Sequence, residues 1–303
     1  MKKKGILLVV MLLLLFFLLG ACSGESTDQS TTNATAEETE TEGVAEETAQ
    51  TEETEEEPET ITETVLLDES GIKITAKSLD LDGIFGPELT LNIENNSGQN
   101  LTFQCRGASV NGYMVETSFS ADVVNGKKAN DGIVFSDTDL DLSAIDTIAT
   151  MEFSFHIFNT DSWDTYLDSA PVSLSTSAAA SYTDSFDPSG DLLYEGNGIR
   201  MVSQGYLEED SLFGPSLKLY VENNSDQPIT IQTRDTSVNG YMVETIFSAD
   251  VAPGKRIVDT VTFSSSSLEE NGITSIDTTE LSFHIFQTDT WDTIVDTEAI
   301  SIP

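Results

Sequence analysis

Through most of the chain, apolar side chains return at every second position, the period of a strand with one dry face. Leu89, Leu91 and Ile93 alternate with Thr90, Asn92 and Glu94, and Leu101, Phe103 and Cys105 alternate with Thr102, Gln104 and Arg106. Phe153, Phe155 and Ile157 do the same around Ser154 and His156. Between such runs stand Asn95-Asn96-Ser97-Gly98 and Asn111-Gly112, residue types that tolerate the positive φ of tight hairpins. The pattern predicts seven or eight strands near residues 65–67, 72–79, 89–94, 101–108, 113–119, 129–135, 151–158 and 165–174. So many short strands, with turn signals about every ten residues, predict an all-β antiparallel sandwich. At 264–271 serines precede Leu268-Glu269-Glu270-Asn271, and Gly272 follows, which predicts one capped helical turn.

The pattern occurs twice. Residues 85–175 align with 213–303 at a constant offset of 128, and 49 of the 91 positions are identical. Upstream, Gly71-Ile72 matches Gly198-Ile199 at an offset of 127. The tandem units are residues 65–176 and 191–303, joined by a linker at 177–190. A unit of this size buries roughly two thirds of its unfolded surface, enough to fold unaided, and the period is too long for a solenoid. The expectation is therefore two beads and not stacked repeats, with their contact left open.

The N-terminus departs from strand periodicity. Lys2, Lys3 and Lys4 precede fourteen apolar residues, 6–19, whose helix would rise roughly 21 Å, short of a bilayer core of about 30 Å. This is a signal-peptide pattern. Leu19-Gly20-Ala21-Cys22 resembles the lipobox of bacterial lipoproteins, which implies a signal peptide at 1–21, cleavage before Cys22 and a diacylglyceryl group on its sulfur. The alternative is an ordinary secretory signal with a chance cysteine. Two acyl chains anchor stably where one does not. The expected site is then the outer face of the cell membrane. Residues 23–64 hold fifteen acidic residues and no Lys or Arg, so 22–64 read as a lipidated cysteine followed by a disordered acidic linker. Its two readings are a stalk that holds the domains off the bilayer and a leader with no length requirement. With 53 acidic against 13 basic residues the net charge is -40, which excludes nucleic acid as a partner. Cys105 is the one cysteine besides Cys22, so a lipidated chain has no internal disulfide.

Few residues suggest chemistry. His156 and His284 occupy matching strand positions with no nucleophile in any recognisable pattern, and no phosphate loop or zinc spacing is present. The near-copies Thr160-Asp161-Ser162-Trp163-Asp164-Thr165 and Thr288-Asp289-Thr290-Trp291-Asp292-Thr293 are followed by Asp168 and Asp296. Asp161, Asp164, Asp168, Asp289, Asp292 and Asp296 are weak candidates for a hard cation, against turn capping with tryptophans that plug the sandwich ends. No cofactor is expected. Residues 109–123 match 237–251 at 14 of 15 positions, the exception being Ser118 against Ile246. This block makes Asn111, Tyr113 and Met114, with Asn239, Tyr241 and Met242, a candidate recognition edge; the alternative is a shared turn kept alike by recent gene conversion.

The Glu-Asn-Asn-Ser strand end, the Ser-Val-Asn-Gly-Tyr hairpin and the late Phe-His-Ile-Phe strand resemble immunoglobulin-like domains of Gram-positive surface lipoproteins of unknown function, and more loosely telokin-like and FxLYD-like sandwiches. The two-cysteine core of antibody domains is missing, since Cys105 is matched by Thr233. The resemblance implies two tandem Ig-like β-sandwich domains on a membrane lipoprotein. The expected function is non-enzymatic binding or adhesion to an extracellular protein, glycan or wall polymer. The alternatives are an envelope-accessory protein without a specific ligand, and a calcium-dependent binder or extracellular enzyme.

Overall fold

The computed structural model describes residues 59–207 and 212–302; the signal peptide, Cys22 and the acidic segment as far as residue 58 lie outside them. Repeat 1 contains strands β1 (Thr64–Glu69), β2 (Ile72–Asp80), β3 (Glu88–Asn95), β4 (Leu101–Val110), β5 (Tyr113–Met114), β6 (Thr117–Ser118), β7 (Ser120–Val123) and β8 (Lys127–Phe135). Helix α1 (Asp137–Leu142) precedes β9 (Thr150–Asn159), β10 (Thr165–Asp168) and β11 (Val172–Ser175). One sheet runs β1-β2-β3-β8-β6; in the other, β4 pairs with β9, β5 and β7, and β9 pairs with β10 and β11. Leu89, Leu91 and Ile93 from the first sheet meet Phe103, Phe155 and Ile157 from the second, all at 1% exposure or less. Each such side chain contributes about 1.5–3 kcal/mol on burial. The fold is an all-β antiparallel sandwich.

Repeat 2 reproduces it with β12 (Asp191–Gly196), β13 (Ile199–Tyr206), β14 (Ser216–Asn223), β15 (Ile229–Val238), β16 (Tyr241–Met242), β17 (Thr245–Ile246), β18 (Ser248–Val251) and β19 (Arg256–Phe263). Helix α2 (Ser265–Glu270), then β20 (Thr279–Gln287), β21 (Thr293–Asp296) and β22 (Ile300–Ile302) complete it. Ser264 caps α2, its Oγ accepting from the Ser267 amide, as its sequence indicates. The matching turn α1, capped by Ser136, lacks the serine run that made α2 legible. The single strands expected at 113–119 and 165–174 are each divided, because the chain there leaves one pairing partner for another. The alternation of β4 also breaks at a bulge between Arg106 and Ser109, where Gly107 takes φ +59. Cys105, just before it, is half-buried and free, and burial pushes its thiol up to about 11.

The Glu-Asn-Asn-Ser motif is a staple. Asn95 is fully buried; its Nδ2 donates to the carbonyls of Gln99 and Val123, and its Oδ1 accepts from the amide and hydroxyl of Ser97. Asn223 makes the same four bonds. Both asparagines therefore meet their hydrogen-bonding capacity inside the protein, so the motif has a packing explanation.

The two beads touch. The described residues from 59 onward belong to a single compact unit, and the sheet of β4 and β9 continues into that of β19 through the Arg256 amide, which donates to Gly112 O at 3.0 Å. The eleven strands so joined include β10-β9-β4-β5 of repeat 1 and β19-β14-β13-β12 of repeat 2. The linker is part of the joint, since Asp184 and Phe186 pack between the repeats.

Candidate functional site

The two candidate edges share a backbone and differ in surroundings. Asn111-Gly112 and Asn239-Gly240 have φ near 52° and 84°, the left-handed pair of a tight hairpin. Asn111 Nδ2 donates to Thr147 O at 2.6 Å, and its Oδ1 accepts from the amides of Ala149 and Thr150. Asn239 bonds Ser275 O and the amides of Asp277 and Thr278 in the same way. Both asparagines fasten the loop that leads into the long central strand. Asp122 is likewise structural, accepting from Thr102 Oγ1 at 2.6 Å, as Asp250 does from Thr230.

Tyrosine and methionine separate the two tips. Tyr113 and Met114 are 1% and 8% exposed, whereas Tyr241 and Met242 are 54% and 64% exposed. The Arg256 guanidinium lies 4.2 Å from the centre of the Tyr113 ring and donates to Asp184 Oδ2 at 2.6 Å; the Tyr113 hydroxyl donates to the same oxygen at 3.1 Å. Phe186 packs edge-on against Tyr113 and stacks on Tyr220. Met114 joins the apolar cluster of repeat 2, and Val202, Tyr220 and Val258 join that of repeat 1. Burial holds the Tyr113 hydroxyl well above the usual phenol range. The tip of repeat 1 is thus an internal contact, not an exposed recognition edge.

The receiving face explains why the contact forms once. Its Tyr220, Val258 and Arg256 correspond to Asn92, Asn130 and Lys128 of repeat 1. There Asn92 Nδ2 donates to Asn130 Oδ1 at 2.8 Å, and Lys128 pairs with Glu94. That face is polar. The one difference within the shared block runs the same way: Ser118 of repeat 1 becomes Ile246 in repeat 2, which is 59% exposed.

Beside the joint, a cleft of about 370 Å³ is lined from both repeats, by Glu116 and Asp139 on one side and Asp250 and Asp259 on the other. Burial, with the neighbouring carboxylates adding to it, raises Glu116 and pushes Asp259 up to about 6; burial also raises Asp139.

The aspartates of the Trp loops hold turns and partners. Asp164 accepts from Ser162 Oγ, and Asp292 from Thr290 Oγ1. Asp168 bonds Nδ1 of His156, and Asp296 that of His284, both at 2.5 Å. Asp161 and Asp289 are exposed in the turns. Among the described residues no group of three or more His, Cys, Asp or Glu side chains gathers to hold a metal ion, so the six aspartates are not brought together as a cation site. Neither histidine is hydrogen-bonded to a serine or cysteine among the described residues; each ring instead tilts against a phenylalanine, Phe158 or Phe286.

Trp163 and Trp291 do not plug the ends of the sandwich: both are 74% exposed. Each stacks one face on a buried phenylalanine, Trp163 on Phe158 at 5.4 Å and 16°, Trp291 on Phe286 at 5.3 Å and 14°. Both sit at left-handed φ of 66° and 65°. The sequence does carry a signal for these positions, a bulky ring in an otherwise polar, duplicated turn.

No family model matches the chain, and no curated protein matches it. Among solved structures, the YadV chaperone aligns over 71% of this chain and 92% of its own, at 11% identity and a TM-score of 0.24. The Pseudomonas aeruginosa CupB2 chaperone covers 71% and 91% at 12% identity and a TM-score of 0.18. Red sea bream transglutaminase covers 78% of this chain and 31% of its own, at 11% identity and a TM-score of 0.19. Likenesses of this size carry no argument about function.

Proposed function

We propose that the protein is a non-enzymatic lipoprotein of the outer membrane face, tethered through Cys22, whose docked pair of Ig-like repeats binds an extracellular partner through the tip of repeat 2. The tether rests on Leu19-Gly20-Ala21-Cys22 and the apolar run before it. The binding role rests on one observation: the Tyr-Met tip that repeat 1 buries against a folded partner surface stands exposed, at 54% and 64%, in repeat 2. Rigid aromatic and thioether side chains are the residue types that anchor protein interfaces. In repeat 1 the tip meets an arginine of β19 over the tyrosine ring and the linker carboxylate of Asp184 at its hydroxyl, which supports a partner of similar chemistry for the exposed tip.

The test is a Tyr241→Ser, Met242→Ser double change in the full chain. Loss of binding to arrayed extracellular peptides, proteins and wall polymers, with unchanged melting, supports the reading. Binding that survives removes the tip from it. The second reading, an envelope-accessory protein without a ligand, draws on the closely packed joint, which gives the pair a fixed geometry suited to a spacer. Wild-type protein that binds nothing in the same array favours it.

A further inference from the structure

We infer that Trp163 and Trp291 form a pair of platforms for an uncharged polysaccharide, each offering the free face of its indole to the C–H face of a pyranose ring. The inference is independent of the tip. Stacking on Phe158 and Phe286 fixes both rings nearly parallel to a buried partner, so one indole face is filled while three quarters of the residue remains in water. The turn beneath is rigid. In repeat 1 the Trp163 amide donates to Asn159 O, the Asn159 amide to Asp164 O, and Asn159 Oδ1 accepts from the amides of Asp161 and Ser162. In repeat 2 the Trp291 amide donates to Gln287 O and the Gln287 amide to Asp292 O. Glycine reaches this left-handed φ freely and tryptophan does not, yet both copies carry tryptophan there. Covering the phenylalanine does not require it, since a ring at an ordinary φ would serve.

The surroundings select the ligand. Asp161, Asp164 and Ser162, with Asp289, Asp292 and Thr290, are exposed next to the rings in sequence and supply acceptors for sugar hydroxyls. These carboxylates and the net charge of -40 repel anionic polymers. No other ring stacks on either tryptophan among the described residues, so neither site has the walls of an aromatic cage for a cation. A flat, uncharged, hydroxyl-rich surface remains. A chain long enough to reach both platforms would bind twice, and the pair would then hold it far more tightly than either ring holds a short sugar.

The chain contains two tryptophans, so intrinsic tryptophan fluorescence of the full-length protein reports on these two rings alone. The probes are cellohexaose, chitohexaose and mannohexaose, with hyaluronan and poly-lysine as charged comparisons, and native gels cast with the matching uncharged polymers. The expected result is a saturable emission shift with at least one uncharged hexasaccharide. Trp163→Ala or Trp291→Ala should each weaken retention in the polymer gel by about tenfold or more, while leaving hexasaccharide affinity at the surviving ring within about twofold. The double variant should run as if no polymer were present, and Trp→Phe at both positions should keep part of the retention. No shift with any of the three sugars up to about 10 mM, weaker than most useful recognition, would overturn the inference. A shift confined to hyaluronan or poly-lysine, or retention that persists in the double variant, would overturn it equally.

Discussion

Tyr113 and Tyr241 stand in hairpins of nearly the same sequence, with the same turn dihedrals and the same asparagine bonds beneath them. One is sealed between an arginine, a carboxylate and a phenylalanine, and the other is half in water. The difference originates at the receiving end, on strands β14 and β19, where Tyr220 and Val258 stand in place of Asn92 and Asn130. A motif's sequence therefore did not set its role here; the surface it met did.

The largest test of that contrast is Tyr113→Ser against Tyr241→Ser. Removing a fully buried ring should cost about 3–5 kcal/mol, whereas the exposed change should stay within about 0.5 kcal/mol, both read from urea unfolding. Equal losses would mean that the two tips are not in different environments. Next come Asn111→Ala and Asn239→Ala. Each strips the same three bonds from its loop, so each should cost about 2 kcal/mol, and a large gap between them would contradict the matched networks.

A smaller effect comes from pH. Asp259 in the folded protein holds its proton up to about 6, against 3.8 ordinarily, so protonation favours the folded, docked state. Stability should rise as pH falls from about 7 toward 4, by roughly 1–2 kcal/mol once partial solvent access is allowed for. Glu152, lowered by its bond to Lys255, and Asp184, lowered by its bonds to the Phe186 amide and Arg256 in spite of burial, work the other way and lose their contribution below the usual carboxylate range. Thermal melts across this window should show an acidic optimum for the wild type and a flatter curve for Asp259→Asn. The smallest change is Glu152→Gln, which breaks a partly exposed pair with Lys255 across the joint at 2.8 Å and should cost under about 1 kcal/mol, with less left at high salt.

The sandwich and its doubling were legible because alternation, hairpin asparagines and a gapless internal alignment are local signals. The joint was not, although the sequence contained its trace. Identities between the copies draw attention to Asn111 and Tyr113, but docking is written in the differences, Thr75 against Val202, Asn92 against Tyr220 and Asn130 against Val258, each an outward strand position turned from polar to apolar. In the tryptophan turns the carboxylates carry the visible signal, because a ring of that size ordinarily seeks cover. Only the placement of Phe158 and Phe286 shows that one face of each indole is already covered and the other is not.

The hydrogen bond between Asn92 and Asn130 has a consequence for solubility. A head that fits a shoulder, on a molecule carrying two of each, would seed an endless fibre, because a head-to-tail contact that does not close into a ring has no natural length. With one shoulder polar, the contact has no second apolar face on which to repeat.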